Sequence, residues 1–169
     1  DYNFLLATSD GYIKQVKMSD LQPGRTYKTR ATMVMKLKDP AAEVVNIARV
    51  KPEATTEIIV FTQMSFAVSY ALSEVPVVGA RAAGVKSVNL KDDDQVVDFV
   101  LFEPAERPQT KIAIITNRGA FKQLKATEIN QVSRAKRGVL TLRELKSNPH
   151  RIAAVVAYQN EYLLQILTS

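Results

Sequence analysis

One 54-residue spacing constrains this chain more than any other feature. Phe4-Leu5-Leu6-Ala7-Thr8 leads through Ser9-Asp10-Gly11 to Tyr12-Ile13-Lys14-Gln15-Val16-Lys17. The same order, an apolar run closed by threonine, a turn and an amphipathic return, recurs at Ile58–Thr62 with Phe66–Ala71, and at Ile112–Thr116 with Phe121–Lys125. Thr8, Thr62 and Thr116 therefore stand 54 residues apart. Ser19-Asp20-Leu21, Ser73-Glu74-Val75 and Thr127-Glu128-Ile129 keep the interval, as do Gly84-Val85 and Gly138-Val139. A fixed long period indicates stacked or radially arranged units, none of which buries its own apolar faces alone.

Each unit reads as β-structure. Asp10-Gly11 and Asn117-Arg118-Gly119 are hairpin turn signals, with Gly11, Ser65 and Gly119 as the equivalent turn positions. Lys14 and Lys17 would point to opposite faces of a regular strand. Thr26–Lys38 alternates well enough for one long strand or two broken ones, and Pro23-Gly24 before it is a turn. Val44–Val50, Val96–Val100 and Ile152–Val156 close the repeats as strands. Ala41, Val44, Val45 and Ala48 also have helical spacing, with Pro40 at a helix start, but the β-branched content of the counterparts favours strand. The paired Gly84 and Gly138 predict a backbone constraint, positive φ or close strand approach. Repeats are expected at 4–56, 57–110 and 111–160, and Tyr162–Ser169 reads as the opening strand of a fourth.

The chain has 169 residues, 46% of them hydrophobic, enough to bury a core. No apolar run reaches the ~18–20 residues that span a membrane, and no secretory signal pattern is present. Without cysteine, neither a disulfide framework nor a thiolate metal site is possible. These points favour a bacterial cytoplasmic protein with no membrane partner. Asp1 stands where a complete chain would carry Met, so an excised piece of a longer protein is expected. The net charge of +6 is unevenly spread. Residues 1–56 hold nine Lys/Arg against six Asp/Glu, residues 57–110 four against eight, and residues 111–169 ten against three. Basic regions flanking an acidic one suggest a polyanionic partner.

Enzyme chemistry finds no foothold. His150 is the sole histidine, beside Pro149 in a loop, and reads as a surface residue. No nucleophile elbow, P-loop or dinucleotide fingerprint occurs. Lys91-Asp92-Asp93-Asp94 lacks the alternation, central Gly and closing Glu of a calcium loop and reads as a solvated turn. Tyr12, Tyr70, Tyr158 and Tyr162 lie in strand-like runs and read as core. No cofactor is expected.

About four strand candidates per repeat match a propeller blade; a sandwich or barrel of duplicated hairpins is the competing architecture. The period favours an all-β, propeller-like disc of four-stranded antiparallel blades, three repeats plus the start of a fourth. At this point the residues carry a resemblance. Pro76–Arg81 with GVKSVNLKDDDQVV (Gly84–Val97), FLLATSDGYIKQV (Phe4–Val16) and IAIITNRGAFKQL (Ile112–Leu124) resemble the C-terminal domain of the A subunit of bacterial type IIA topoisomerases. The likeness spans the chain, with a weaker fit at 26–52 and 140–157. It implies a β-pinwheel, a disc whose blades exchange strands and whose basic rim binds and bends duplex DNA. The glutamine-arginine-arginine-glycine-glycine-lysine-glycine box of gyrase is absent, which favours the topoisomerase IV branch. The family's DNA-cleaving tyrosine lies in another domain, so this one is expected to be non-catalytic, working with the ATPase B subunit of the holoenzyme and with the other domains of its own polypeptide.

Backbone recognition needs exposed Lys and Arg, which neutralise phosphates and release counterions without reading bases. The candidates are Lys14, Lys17, Lys28 and Arg30 in the first repeat, Arg81 and Lys86 in the second, and Arg118, Lys122, Lys125, Arg134, Lys136 and Arg137 in the third. Arg134 and Arg137 stand four and one residues before Gly138, where the resemblance places blade arginines; Ala80 and Ala83 replace them in the second repeat. A propeller module that binds a protein through its top face is the alternative function.

Overall fold

The computed structural model describes residues 1–22 and 31–159. Each repeat opens with a hairpin whose threonine closes it. Thr8 ends β1 (Asn3–Thr8), Thr62 ends β4 (Glu57–Thr62) and Thr116 ends β8 (Lys111–Thr116). All three are buried. Their hydroxyls accept the amide four residues on, from Tyr12, Phe66 and Ala120 at 3.1 Å each. That bond fixes a turn whose third residue is left-handed: Gly11 has φ 88°, Ser65 79° and Gly119 74°. Glycine takes this conformation without the Cβ penalty, which explains two of the three residues. The chain then returns as β2 (Tyr12–Lys17), β5 (Phe66–Ala71) or β9 (Phe121–Lys125) and ends in a 3-10 turn at Met18–Asp20, Leu72–Glu74 or Ala126–Glu128.

The closing strands are β3 (Val44–Val50), β7 (Val96–Phe102) and β11 (Ile152–Tyr158), each antiparallel to the first strand of its own hairpin. Every such pairing shifts register at or opposite the threonine. The helical alternative near 41–48 is thus replaced by strand, and residues 139–146 hold no helix.

The fourth strand does not belong to its own repeat. β6 (Val85–Lys86) follows the second hairpin in sequence but pairs with β2 of the first, giving the order β3-β1-β2-β6. β10 (Val139–Leu140), from the third repeat, pairs with β5 in a sheet ordered β10-β5-β4-β7. The third sheet has three described strands, β11-β8-β9. Gly84 and Gly138, both at φ 84°, make the exchange possible. A Cβ on Gly84 would lie 2.3 Å from the Ile13 carbonyl oxygen, and one on Gly138 2.0 Å from that of Ala67. Positive φ and close approach are therefore both required, as the sequence suggested.

The strand expected within Thr26–Lys38 is absent from its described part, residues 31–38. Its counterparts become strands only by adding to the preceding hairpin, and among the described residues the first repeat has none before it. Residues 31–36 fold back instead. Met35 packs with Leu6 and Val16, joined by Phe4, Tyr12 and Val34, and the Lys36 amide donates to the Ala82 carbonyl. Pro23-Gly24 and Tyr162–Ser169 fall outside the described residues.

Two apolar layers hold the sheets face to face. Leu5, Ala7 and Ile13 of the first meet Ile58, Val60, Val68 and Tyr70 of the second. Ile59, Phe61, Ala67 and Val100 on the other face of the second meet Ile112, Ile114 and Leu124 of the third. β4 is consequently buried at every position, which is why EIIVFT reads as a continuous apolar run rather than an alternating one. Full burial of each such aliphatic side chain stabilises by roughly 1.5–3 kcal/mol. Glu57, the charged residue of that run, is paired at 2.8 Å with Arg107 of the 3-10 turn Pro104–Gln109, and Arg107 also donates to the Ile129 carbonyl. The guanidinium thereby ties the second sheet to the third repeat.

Candidate nucleic-acid interface

The sheets converge where β3, β7 and β11 pack together and present their other edges outward, with β6 and β10 outermost on the first two. Those outer edges and the loops feeding them carry most of the exposed cations. Lys86 is exposed on β6, and Lys136 and Arg137 are exposed just before β10. Arg81 is exposed on the loop into β6, and Lys17 and Lys125 at the ends of β2 and β9. Arg118 sits at the third hairpin turn, its guanidinium donating to the Asn148 carbonyl at 2.9 Å. Lys28 and Arg30 lie outside the described residues.

Two candidates serve the fold. Lys14 has no solvent exposure, and its ammonium donates to the carbonyls of Gly79, Ala80 and Ala82 at 2.9, 3.0 and 2.9 Å. Three donors meet three acceptors, so no proton is left to offer a phosphate. Burial lowers its pKa. The strand rule anticipated that Lys14 and Lys17 would part, and Lys14 is removed from the interface. Arg134 is half-buried: its Nε donates to the Glu74 carbonyl at 3.1 Å, its Nη1 to the Lys86 carbonyl at 2.6 Å, and its amide to the Glu74 carboxylate at 3.0 Å. It fastens the third repeat's loop to the second sheet and to β6, lending the outer edge charge mainly by position.

Lys122 is exposed, with its ammonium 2.5 Å from the Thr141 carbonyl. His150 is half-buried rather than free on the surface: its Nδ1 lies 3.0 Å from the Thr116 hydroxyl and its Nε2 3.4 Å from Arg118. It braces the third turn. Tyr70 is fully buried, as expected, but Tyr12 and Tyr158 are only partly so, with the Tyr158 hydroxyl donating to Gln123. Lys91–Asp94 is a turn, in which the Asp94 carboxylate accepts the Met64 and Gln95 amides. No group of three or more His, Cys, Asp or Glu among the described residues could hold a metal ion.

Two cations, Lys38 and Lys91, escaped sequence reasoning. Lys38 lies 4.5 Å over the Tyr12 ring, and Tyr12 pairs in register with Lys86, so these two lysines flank one aromatic. Lys91 lies 4.9 Å over Phe66, the equivalent of Tyr12 one repeat on, and shares an open cleft with Arg137. The Asn89 amide bonds the Lys136 carbonyl at 2.9 Å, joining the two clusters. An aromatic one residue after the turn glycine or serine is the signal that could have found them, but their partners lie more than twenty residues away in sequence. Lys38, Lys86, Lys136, Arg137 and Lys91 place five cations along the outer edges of the first two sheets, although Asp92 and Glu144 line the same cleft as Lys91 and Arg137.

Comparison with known proteins agrees with this architecture. The family model of the DNA gyrase C-terminal domain, beta-propeller, matches residues 2–51, 56–103 and 110–157, one match per repeat. The A subunit of DNA topoisomerase 4 from Streptococcus pyogenes is 35% identical over 158 residues, and its Bacillus subtilis counterpart 37% over 153. These alignments take in 94% and 90% of this chain but 18% of each relative's length. Among solved structures, the C-terminal domain of DNA topoisomerase IV superposes with a TM-score of 0.81 at 36% identity, covering 94% of this chain and 46% of that one. A DNA gyrase A C-terminal domain superposes with 0.78 at 20% identity, a likeness of fold. With every repeat matched, the chain belongs to the family of the DNA gyrase C-terminal domain, and its curated relatives lie in the topoisomerase IV branch.

Proposed function

We propose that this chain is a non-catalytic DNA-binding and DNA-bending domain of a type IIA topoisomerase A subunit of the topoisomerase IV kind. The observation that supports the reading is the basic band on the outer sheet edges. Lys38, Lys86, Lys91, Lys136 and Arg137 follow β6 and β10 around the assembly, with Arg81 beside them. Cations spaced along a curved rim neutralise successive phosphates and offset the cost of bending, which is of order 1–6 kcal/mol for a 20–30 base-pair site. Phosphate contacts position the duplex and leave its sequence unread. In this reading the domain presents DNA to a cleavage core elsewhere in the same polypeptide, the B subunit supplies ATP hydrolysis, the domain needs no cofactor of its own, and the enzyme works in the bacterial cytoplasm at the nucleoid.

The test is fluorescence anisotropy with labelled duplexes of unrelated sequence. Tight, sequence-indifferent binding at low salt that weakens linearly in log affinity against log salt is expected. No binding at low salt overturns the reading and leaves a protein-binding propeller module.

A further inference from the structure

Two rim lysines sit on aromatic rings at equivalent places in successive repeats. Tyr12 opens β2 and Phe66 opens β5, each directly after the left-handed turn residue. The buried hydroxyls of Thr8 and Thr62 hold their amides at 3.1 Å, which fixes the backbone from which each ring projects. Lys38 lies 4.5 Å over the Tyr12 ring and Lys91 4.9 Å over that of Phe66. Both rings are partly buried and both lysines are exposed. The Tyr12 ring is itself seated on the cluster of Leu6, Val16 and Met35. Neither ammonium forms an ion pair among the described residues, although Asp92 and Glu144 line the Lys91 cleft.

The way a lysine is held decides what it can still do. Lys14 gives all three of its protons to main-chain carbonyls and has none left for a phosphate. An aromatic face attracts the charge but leaves the protons of the ammonium free for oxygen acceptors. A lysine loose in solvent also loses rotamer freedom when it binds, whereas one already seated on a ring has surrendered part of it beforehand. We propose that Tyr12 and Phe66 are positioning residues for duplex DNA, each holding a lysine, Lys38 and Lys91, in place for a phosphate at the hairpin-turn end of its blade. The third repeat has Ala120 where the rings stand and offers no such platform. Its cations are tied by carbonyls instead, Arg118 by Asn148 and Lys122 by Thr141. Ring-held phosphate contacts therefore belong to the first two blades, including the one whose overall charge is acidic.

The proposal rests on the DNA-binding reading, and two measurements on the full chain keep them apart. In NMR spectra of the free protein, ring currents are expected to shift the side-chain methylene protons of Lys38 and Lys91 upfield, and Tyr12→Leu and Phe66→Leu to abolish the shift. Unshifted methylenes in the wild type overturn the platforms whatever the DNA does. Anisotropy with a labelled duplex of arbitrary sequence then reads affinity and salt slope. Tyr12→Leu and Phe66→Leu are each expected to weaken binding about two- to five-fold, the scale of one exposed cation–π contact. The salt slope should stay unchanged, because the lysine still meets its phosphate. Tyr12→Phe keeps the ring and is expected to keep wild-type affinity. Lys38→Met loses roughly one unit of slope, and adding Tyr12→Leu to it is expected to cost nothing more. A ring loss that persists in the Lys38→Met background marks the ring as structural only and overturns the proposal. Wild-type affinity in both leucine variants overturns it while leaving the DNA-binding reading intact. No duplex binding by the wild type overturns both.

Discussion

Gly138 lies so close to Ala67 that a side chain on it would overlap the Ala67 carbonyl, the hypothetical Cβ falling 2.0 Å from the oxygen and 2.5 Å from the carbon. Backbone cannot yield as a flexible side chain can, and the φ of 84° adds strain for any L-residue. The left-handed conformation alone costs roughly 1–2 kcal/mol. Gly138→Val and Gly84→Val are each expected to detach an exchanged strand and lower Tm by at least about 2 °C, at the 2–4 °C per kcal/mol of a domain this size. Thermal unfolding followed by circular dichroism measures it, and an unchanged Tm would show that the strand is not held there.

Thr62→Val keeps shape and volume but removes the acceptor of the Phe66 amide. A buried amide left unpaired costs about 1–3 kcal/mol. Denaturant titration is expected to show that loss at Thr62, where the surroundings are closed on both faces of the sheet.

Lys14→Met separates structural from electrostatic roles. It strands the carbonyls of Gly79, Ala80 and Ala82, so stability should fall by a few kcal/mol, while the salt slope of DNA binding stays unchanged. Calorimetry and anisotropy on the same variant read the two effects. A flattened slope with intact stability would return Lys14 to the interface.

Asp98 gives a pH signature. Burial raises its carboxyl pKa, only partly countered by the Phe99 amide and the Asn46 side chain. A carboxyl raised in the fold binds its proton more tightly there than in the unfolded chain, so its ionisation destabilises the fold at neutral pH, and the penalty fades as pH falls through the folded pKa toward 3.8. Asp98→Asn, which can still accept from both partners, is expected to raise Tm at pH 7, with the difference shrinking as pH approaches 4. A difference that grew toward acid would reverse the sign of this argument.

What the sequence disclosed and what it concealed follow one division. Thr8, Thr62 and Thr116, the left-handed turn at Gly11, Ser65 and Gly119, and the pressed glycines were legible, because each answers a local backbone constraint that recurs from unit to unit. Lys14 and Lys122 look alike in sequence and differ in the structure, because Lys14 is enclosed by carbonyls of the next repeat whereas Lys122 reaches Thr141 of its own. The strand sought within Thr26–Lys38 failed for the same reason: a two-residue strand forms only where a neighbouring hairpin receives it. Arg134 was legible as charge but not as a fastener, since Glu74 and the Lys86 carbonyl reach it from 60 and 48 residues away. The band through Lys38 and Lys91 depended on aromatic platforms that only the folded sheets bring beneath them.

The most direct measurement of the central claim is the salt dependence of duplex binding in Lys86→Glu/Lys136→Glu/Arg137→Glu, beside wild type and Lys14→Met. Arg134 is left intact so that the loop stays fastened. The triple variant is expected to keep its Tm, bind DNA far more weakly at low salt, and lose roughly one unit of slope for each phosphate contact removed. Wild-type affinity and slope in that variant would contradict a DNA-binding rim on the outer sheet edges.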